Sequence, residues 1–555
     1  MDADSERALR TFEAQLDQHH LGLALWKYPR EQALYSVLAV ADSLFLTQMV
    51  ASDRPPTDGF AQEIKLTHEA ASQAIRWLAA TSKSGISVMG VTDCAAIGAA
   101  LEYLGFASHY VNIADFHMML GRGLAQAVVD KDSKTVTFAE TSGPGLSAAA
   151  GWHELAESER KRARSAAQRP GSGVAALMRR ALSYSLRDGH VEVHGLLPQL
   201  MKPLRHMIQT VAHPEIVPLP DDADLVGFSM SDFRRFRDAI VCWSLCAIFG
   251  CVEHVRAGVP QNETMPTQIV DINHFITSLV QLSRLKTETV EAILRRLTYV
   301  AGTRADILLQ PFLIGENRVS WSPSLVVQTR HERNMLKLMA RGDAELKAQA
   351  DNLIGGREKV MIAMLSDRLS KYGYQSKARV RIGVGSDGQT EIDLLAYKRQ
   401  HPDQVLLIEA KAILAPDEIN EVSAATQTLV YAQSQLRAAI ETLSCVPSEQ
   451  KAQLFRFVDW AKVKDIYPIV VAAEGEPHVL LDPQGIPAIS MATLRTRLRS
   501  CDMSCPKRIW SCCVHRPWLP KEMPAGCTTF DSIVVGDITY RLPMMVAGEH
   551  QDGTC

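Results

Sequence analysis

The sequence EIDLL at residues 391–395, followed by LLIEAK at residues 406–411, decides how the C-terminal part of this chain folds. Both runs are short and apolar, and both carry acidic groups at a spacing typical of a β-strand. Side chains alternate between the two faces of a strand, so Asp393 projects to one side of the first strand, and Glu409 and Lys411 project together from the second. The sequence therefore predicts carboxylates and an ammonium group meeting at the edge of a sheet.

These residue types suit the hydrolysis of a phosphodiester. That reaction needs a hard cation that neutralises the phosphoryl oxygens and lowers the pKa of an attacking water. Mg²⁺, or Mn²⁺ in its place, takes oxygen ligands, often one or two carboxylates plus waters. We expect Asp393, Glu409 and the backbone carbonyl of Ala410 to bind the ion. Lys411 would orient the water or stabilise the developing negative charge.

A further acid lies upstream, on a predicted helix. Glu358 falls on the apolar stripe formed by Met361, Ile362, Leu365 and Leu369. An unpaired carboxylate on such a stripe would be costly to bury, so it should have a partner. A metal ion or its bound water at the rim of the sheet would satisfy Glu358.

The order of these elements resembles that of the PD-(D/E)xK nuclease superfamily, whose fold is that of restriction endonucleases. The resemblance covers roughly residues 351–500. It follows a helix with Glu358, a strand at 378–384, a turn at 386–389, strands at 391–397 and 405–411, and a helix at about 424–443.

The resemblance implies a set of site residues. Asp393 and Glu409 would bind metal, Lys411 would be catalytic, and Glu358 would be the helical acid. In this family the residue before the motif aspartate is usually proline, and this chain has Ile392 instead.

The helix that follows the motif adds weaker candidates. Helices in this position of the family often carry a glutamine, so Gln427 and Gln435 are candidates for contacting nucleic acid or steadying the site.

Length and charge limit the classes of protein to consider. A chain of 555 residues suggests two to four domains, and a net charge of −3 lacks the basic excess of a dedicated nucleic-acid coat. Contact with DNA would then depend on local patches, although solvated faces produce similar clusters. The candidate patches are Arg379, Arg381, Lys398 and Arg399, and Arg495, Arg497 and Arg499.

The pattern along the chain predicts a multidomain protein. An α-rich N-terminal region precedes an α/β restriction-endonuclease-like domain with a central mixed sheet, and a small β-rich extension follows. Helical periodicity is clear at 31–50, 67–81, 172–186, 232–255 and 275–299. The expected units are an N-terminal α+β domain at 1–170, a helical region at 171–350, the nuclease domain at 351–500 and a Cys-rich β extension at 501–555.

No targeting signal is evident, so we expect a cytoplasmic protein without membrane attachment. The N-terminus is acidic and lacks an apolar core segment. The most apolar stretch, 239–252, is too short to span a bilayer and predicts a buried helix. Cys94, Cys242, Cys246 and Cys251 are expected to be reduced thiols in apolar surroundings.

The C-terminal cysteines allow two interpretations. Cys501 and Cys505 would form one half of a zinc knuckle. The other half is not evident, because the neighbouring Cys512, Cys513, His515 and Cys527 do not match ordinary zinc ligand spacing. The alternation at 533–540 around Gly536-Asp537 favours a hairpin in a small β-rich extension.

One N-terminal segment permits a rival function, since its outline is similar to that of transglutaminase-like or papain-like domains. A helix at 71–80, a second helix opening at Cys94, and strands at 124–129 and 135–140 follow that order. A helix N-terminus lowers the pKa of a cysteine and favours the nucleophilic thiolate. Glu140 suits the acid, but no histidine lies on the first strand, so His109 or His117 would have to reach the thiol.

We therefore predict a Mg²⁺-dependent endonuclease or exonuclease that acts on DNA in preference to RNA. The N-terminal region would recognise substrate, a protein partner or a trigger. Its size suits a regulated enzyme of bacterial antiphage defence or a mobile element, by analogy of architecture. The alternatives are a cysteine hydrolase using Cys94 and a non-catalytic binding protein on a decayed nuclease fold.

Overall fold

The structure is a computed structural model. It describes residues 2–51, 58–80, 93–123, 125–140, 172–187, 190–195, 198–211, 217–260, 264–303, 306–383, 390–414, 419–474, 485–497, 505–515 and 529–544. The predicted turn at 386–389, Arg499 of the second basic patch, and Cys501 and Cys527 lie outside these residues.

The N-terminal part consists of four helices and a hairpin. Two of the helices begin at aspartates whose carboxylates accept a backbone N–H of the first turn: Asp2 accepts from Ser5, and Asp93 accepts from Ala95. The elements are α1 (Ala3–His19), α2 (Arg30–Ala51), α3 (Asp58–Ala80), α4 (Cys94–Gly121), β1 (Ala125–Asp130) and β2 (Thr135–Glu140). The helices and strands predicted here are confirmed.

The described part of the middle region, expected to be helical at 171–350, contains both helices and strands, and the strands were not predicted. A hairpin pairs β3 with β4, and a small antiparallel sheet has the order β5-β7-β6. The elements are α5 (Ser172–Ala181), β3 (Ser183–Arg187), β4 (His190–His194), α6 (Arg205–Val211), α7 (Met230–Arg256), β5 (Gln268–Asp271), α8 (Ile272–Ser283), α9 (Thr287–Leu297), β6 (Leu313–Gly315), β7 (Arg318–Trp321), α10 (Pro323–Gln328) and α11 (His331–Ala340).

Two predicted helices of this region end earlier than their periodicity suggested. The helix expected at 172–186 stops at Ala181 and the chain continues as β3. The helix expected at 275–299 is split into α8 and α9, because Arg284 adopts a left-handed backbone with φ 57° that ends α8.

Helix α7 is the centre of the largest hydrophobic core. Ser229 and Asp232 form a capping box that starts it, and nearly every residue from Phe233 to Cys251 is buried. It is long and apolar enough to cross a membrane, but 72% of its most apolar stretch is buried inside the protein. The predicted buried helix at 239–252 is therefore confirmed.

A buried carboxylate joins the N-terminal helices to this middle region. Asp42 of α2 accepts hydrogen bonds from Thr267 Oγ1 at 2.6 Å, Ser322 Oγ at 2.5 Å and the Ser324 N–H at 3.0 Å. The two expected units thus share an interior and do not form separate globules.

The C-terminal part contains a five-stranded mixed sheet of order β12-β11-β10-β9-β8. Strands β10, β11 and β12 are parallel, whereas β9 is antiparallel to both β10 and β8. The elements are α12 (Ala344–Ser370), β8 (Gln375–Ile382), β9 (Thr390–Tyr397), β10 (Gln404–Lys411), α13 (Ile419–Cys445), α14 (Ser448–Leu454), β11 (Asp465–Ala472), β12 (Ala488–Ser490), α15 (Met491–Arg497) and α16 (Pro506–His515).

Two hydrophobic clusters cover the faces of this sheet. In the α12 cluster, Met361 and Leu365 pack with Leu394 and Ile408. In the α13 cluster, Leu429, Leu436 and Leu443 pack with residues such as Leu395 and Leu407. The predicted strands and helices of residues 351–445 are confirmed, and the described chain as a whole is mixed α/β.

The last two strands do not form a separate extension, which corrects the expectation for 501–555. Strands β13 (Thr529–Val535) and β14 (Ile538–Met544) form the predicted hairpin. However, β14 pairs in parallel with β2, giving a sheet of order β1-β2-β14-β13. The hydroxyl of Tyr540 donates to the carbonyl of Phe12 at 3.0 Å. Both ends of the chain therefore build one N-terminal unit.

Candidate functional site

The predicted site lies where β9 and β10 separate. Asp393 and Glu409 are only 8% and 5% exposed. Asp393 Oδ2 accepts the backbone N–H of Ala410 at 2.8 Å, and Lys411 Nζ donates to Glu409 Oε1 at 2.7 Å. The structure thus places all three side chains together, as the strand pattern predicted.

The register explains this geometry. The β9–β10 ladder ends with Ile408 opposite Leu394, whereas β10 stays paired with β11 as far as Lys411. Beyond that point the Ala410 N–H no longer donates to a backbone carbonyl of β9, and it donates to the Asp393 carboxylate instead. The Lys411 carbonyl accepts from Ala473 N–H on the β11 side at 2.8 Å. Backbone groups alternate in direction along a strand, so the Ala410 carbonyl faces the Asp393 side.

Glu358 reaches the same place from α12. Burial raises the pKa of Glu358, the Lys411 ammonium lowers it, and Asp393 raises it further. The backbone N–H of Ala412, just beyond β10, also lowers this pKa by hydrogen bonding. Glu358 lies on an apolar stripe and was expected to have a partner, and Lys411 and the Ala412 N–H are its partners.

The site carries more negative than positive charge. Burial first, then Asp393 and Glu358, raise the pKa of Glu409 to about 7, although Lys411 opposes the shift. Burial likewise raises the pKa of Asp393. Burial lowers the pKa of Lys411, but the surrounding carboxylates outweigh it and leave the pKa above its usual value. A bound cation would offset this excess of buried acid.

The donor set fits a hard divalent cation. In the described part of the chain no group of three or more His, Cys, Asp or Glu side chains is arranged to hold a metal ion. Mg²⁺ does not require such a cage, since it usually keeps several waters and binds one or two carboxylates. Asp393, Glu409 and the Ala410 carbonyl supply oxygen donors only, beside uncompensated negative charge.

Gln427 and Gln435, the candidates for contacting nucleic acid, both lie on α13. Gln427 is exposed, and the buried Oε1 of Gln435 has no hydrogen-bond partner among the described residues. Gln433, which was not predicted, is buried and donates from Nε2 to the Ile486 carbonyl at 2.8 Å. Its spacing of four residues from Leu429 on the buried stripe was the available signal.

The two candidate histidines lie too far from Cys94 to complete the proposed cysteine site. Cys94 is the first residue of α4 and is exposed, which corrects the expectation of apolar surroundings. His109 and His117 lie farther along the same helix, and a rise of 1.5 Å per residue puts them roughly 22 and 35 Å away. Neither can reach the thiol, and His117 Nδ1 instead lies 3.9 Å from Glu13 Oε1.

The other cysteines divide into two groups. Cys242, Cys246 and Cys251 are free and buried, as predicted. In the tail, Cys505 and Cys513 are buried, and Cys512 is disulfide-bonded. Cys512, Cys513 and His515 lie on helix α16, so this part of the tail is helical and not β-rich.

Comparison with protein-family models, with curated proteins and with solved structures finds no match for this chain.

Proposed function

We propose that this protein is a Mg²⁺-dependent nuclease of the PD-(D/E)xK type that hydrolyses phosphodiester bonds, in DNA in preference to RNA. The observation that carries the proposal is the convergence of four groups from three elements. Glu358 of α12, Asp393 of β9, and Glu409 and Lys411 of β10 influence one another's charge at the point where the sheet opens.

The surrounding elements support the same interpretation. A helix carrying an acid precedes three antiparallel strands, and α13 then connects β10 to the parallel strand β11. This is the order expected of a restriction-endonuclease-like domain, with α12 and α13 on opposite faces of the sheet.

Each residue has a separate task in the proposed reaction. Asp393, Glu409 and the Ala410 carbonyl would hold the ion. When bound, Mg²⁺ or Mn²⁺ would neutralise the phosphoryl oxygens and lower the pKa of the attacking water. The Lys411 ammonium would orient that water or stabilise the charge that develops on the phosphoryl group. Glu358 would fix Lys411 through their attraction and accept a hydrogen bond from the water.

The N-terminal region has a regulatory or recognition task in this proposal. It would recognise substrate, a protein partner or a trigger, and a place in bacterial defence or a mobile element rests on analogy of architecture alone.

The test is a cleavage assay with the full chain. Plasmid, linear duplex, single-stranded DNA and RNA are incubated with Mg²⁺, Mn²⁺ or EDTA. We expect metal-dependent cleavage that is fastest on DNA, and Asp393→Ala, Glu409→Ala and Lys411→Ala should each reduce the rate at least about 100-fold.

Matched controls come from helix α12. Asp367→Ala and Lys371→Ala remove an exposed carboxylate and an exposed ammonium that pair with each other at 2.7 Å, and both should leave the rate unchanged. Cleavage that persists in the three site variants would place the activity elsewhere. Binding of nucleic acid without cleavage under any metal would support a decayed, non-catalytic nuclease fold.

A further inference from the structure

Arg379 of β8 has an unusual backbone next to the site. Its φ is 52°, in the left-handed region that residues other than glycine rarely adopt. Its neighbours Ala378 and Val380 pair with Leu394 and Ile392, so Arg379 stands opposite Asp393 at the one position where that ladder is interrupted. Backbone strain of this kind persists only where the surrounding structure enforces it, and it is frequent at functional sites.

At this position the side chains of strand β9 switch from one face of the sheet to the other. Residues two apart on a strand normally share a face, yet Leu394 packs in the α12 cluster and Ile392 in the α13 cluster. Val380 also packs in the α13 cluster, whereas Ser376, earlier on β8, hydrogen bonds to Ser366 of α12 at 2.7 Å. The left-handed residue Arg379 thus lies where the side chains of both strands change from one face of the sheet to the other.

The charge of Arg379 acts on the site directly. It lowers the pKa of both Asp393 and Glu358, which lie on different elements, so the guanidinium is within electrostatic reach of two site carboxylates. The side chain is exposed and, within the described part of the chain, forms no ion pair. Arg381, two residues later, is instead paired with Glu391 at 3.5 Å.

We propose that Arg379 is a substrate-binding residue, whose guanidinium binds a phosphate group of the nucleic-acid backbone at the site. This inference rests on the proposed function and names a contact that it does not include. A guanidinium offers paired N–H donors that match phosphate oxygens, and it stays charged at every pH at which the site works. Arg379 stands opposite Asp393 in the register of the two strands, and among the described residues it forms no ion pair with a carboxylate.

Salt dependence of binding tests the contact. Binding of a short duplex DNA is measured in EDTA, where cleavage is absent, over a series of salt concentrations. Arg379→Asn removes the charge and tolerates a left-handed backbone. We expect the slope of log K against log salt to become less steep by about 0.9, which makes the affinity loss between 50 and 200 mM salt about 3.5-fold smaller.

Two further variants separate charge from structure. Arg379→Lys should keep the wild-type slope, because one cation still meets the phosphate. Lys371→Gln should also keep it, because Lys371 is exposed, pairs with Asp367 and belongs to neither basic patch. An unchanged slope in Arg379→Asn, or an equal loss of slope in Lys371→Gln, would overturn the contact.

The outcomes distinguish this inference from the nuclease proposal. Cleavage that requires Asp393 and Glu409, together with an unchanged slope in Arg379→Asn, overturns the contact and leaves the nuclease. A reduced slope in a protein that cleaves nothing supports the contact and overturns the nuclease. No measurable binding of duplex or single strands overturns the contact, whatever the cleavage assay shows.

Discussion

At Glu409, burial and the neighbouring carboxylates together raise the pKa against the opposing effect of the Lys411 ammonium. The side chain is 5% exposed and lies near Asp393 and Glu358, and its pKa is raised from 4.5 to about 7. The folded protein therefore binds a proton here more tightly than the unfolded chain does. Without metal, the contribution of Glu409 to stability is complete below about pH 4.5 and is lost as the pH rises to 7.

Glu409→Gln should remove this part of the pH dependence. In EDTA, we expect wild type to lose on the order of 3 kcal/mol of stability from this group between pH 4.5 and pH 8, since each pKa unit corresponds to about 1.4 kcal/mol. The variant should be the more stable protein at pH 8. Urea unfolding at several pH values measures the difference, and parallel curves for the two proteins would contradict it.

At the scale of elements, a buried ion pair attaches α12 to the end of β11. Arg357 and Glu474 are 1% and 3% exposed on their side chains and form a direct ion pair. Arg357 Nε also donates to the Val217 carbonyl at 3.0 Å. Because Arg357 precedes Glu358, this attachment also fixes the helical acid against the sheet.

Breaking that pair from one side should be costly. Arg357→Met leaves the Glu474 carboxylate buried and should lower the free energy of unfolding by about 3–5 kcal/mol. The double variant Arg357→Met/Glu474→Leu should recover most of the loss, because it removes both charges of the buried pair. Denaturant unfolding provides both values.

The control for this cycle is the exposed pair of Lys371 and Asp367, for which Lys371→Ala should cost under about 1 kcal/mol. The prediction would be contradicted if the double variant were as unstable as Arg357→Met. In that case the loss would not come from leaving the Glu474 carboxylate buried without its partner.

At the scale of the whole molecule, the C-terminal hairpin completes the N-terminal unit. Ile533, Ile538, Tyr540 and Leu542 pack in one cluster with residues of α1, α4 and β2, including Phe138. Lys134 and Asp537 add an ion pair between the two hairpins. The N-terminal unit thus depends on strands from the far end of the chain.

Truncation after residue 515 should therefore loosen residues 1–140, although it removes none of them. Stripping the hairpin exposes the apolar face of α1 and β2, and we expect faster limited proteolysis there and increased binding of a hydrophobic dye. Val534→Thr, at a side chain that is 67% exposed, should change neither readout. Equal protease resistance of the truncated and full chains would contradict the dependence.

Much of the sheet and site could be predicted because the controlling signals are local. The alternation at 391–395 and 406–411 placed Asp393, Glu409 and Lys411 on β9 and β10, and the helical spacing around Glu358 placed it on α12. By contrast, Gln433 was missed because its four-residue spacing from Leu429 was the only signal, and that spacing does not show that a polar side chain is buried. Cys94 did fall at a helix start, but only the length of α4 shows that its histidines are out of reach.

The sequence by itself determined strands β9 and β10, helix α12 and the acidic motif, because strand alternation and helical spacing depend on residues only a few positions apart. Tertiary structure alone decided that Tyr540 bonds to Phe12, 528 positions away, and that Arg379 stands opposite Asp393. Such contacts depend on which distant strands pair and in what register. Strand pairing and register depend on the burial of whole surfaces, so neither segment alone contains a sequence pattern that predicts them.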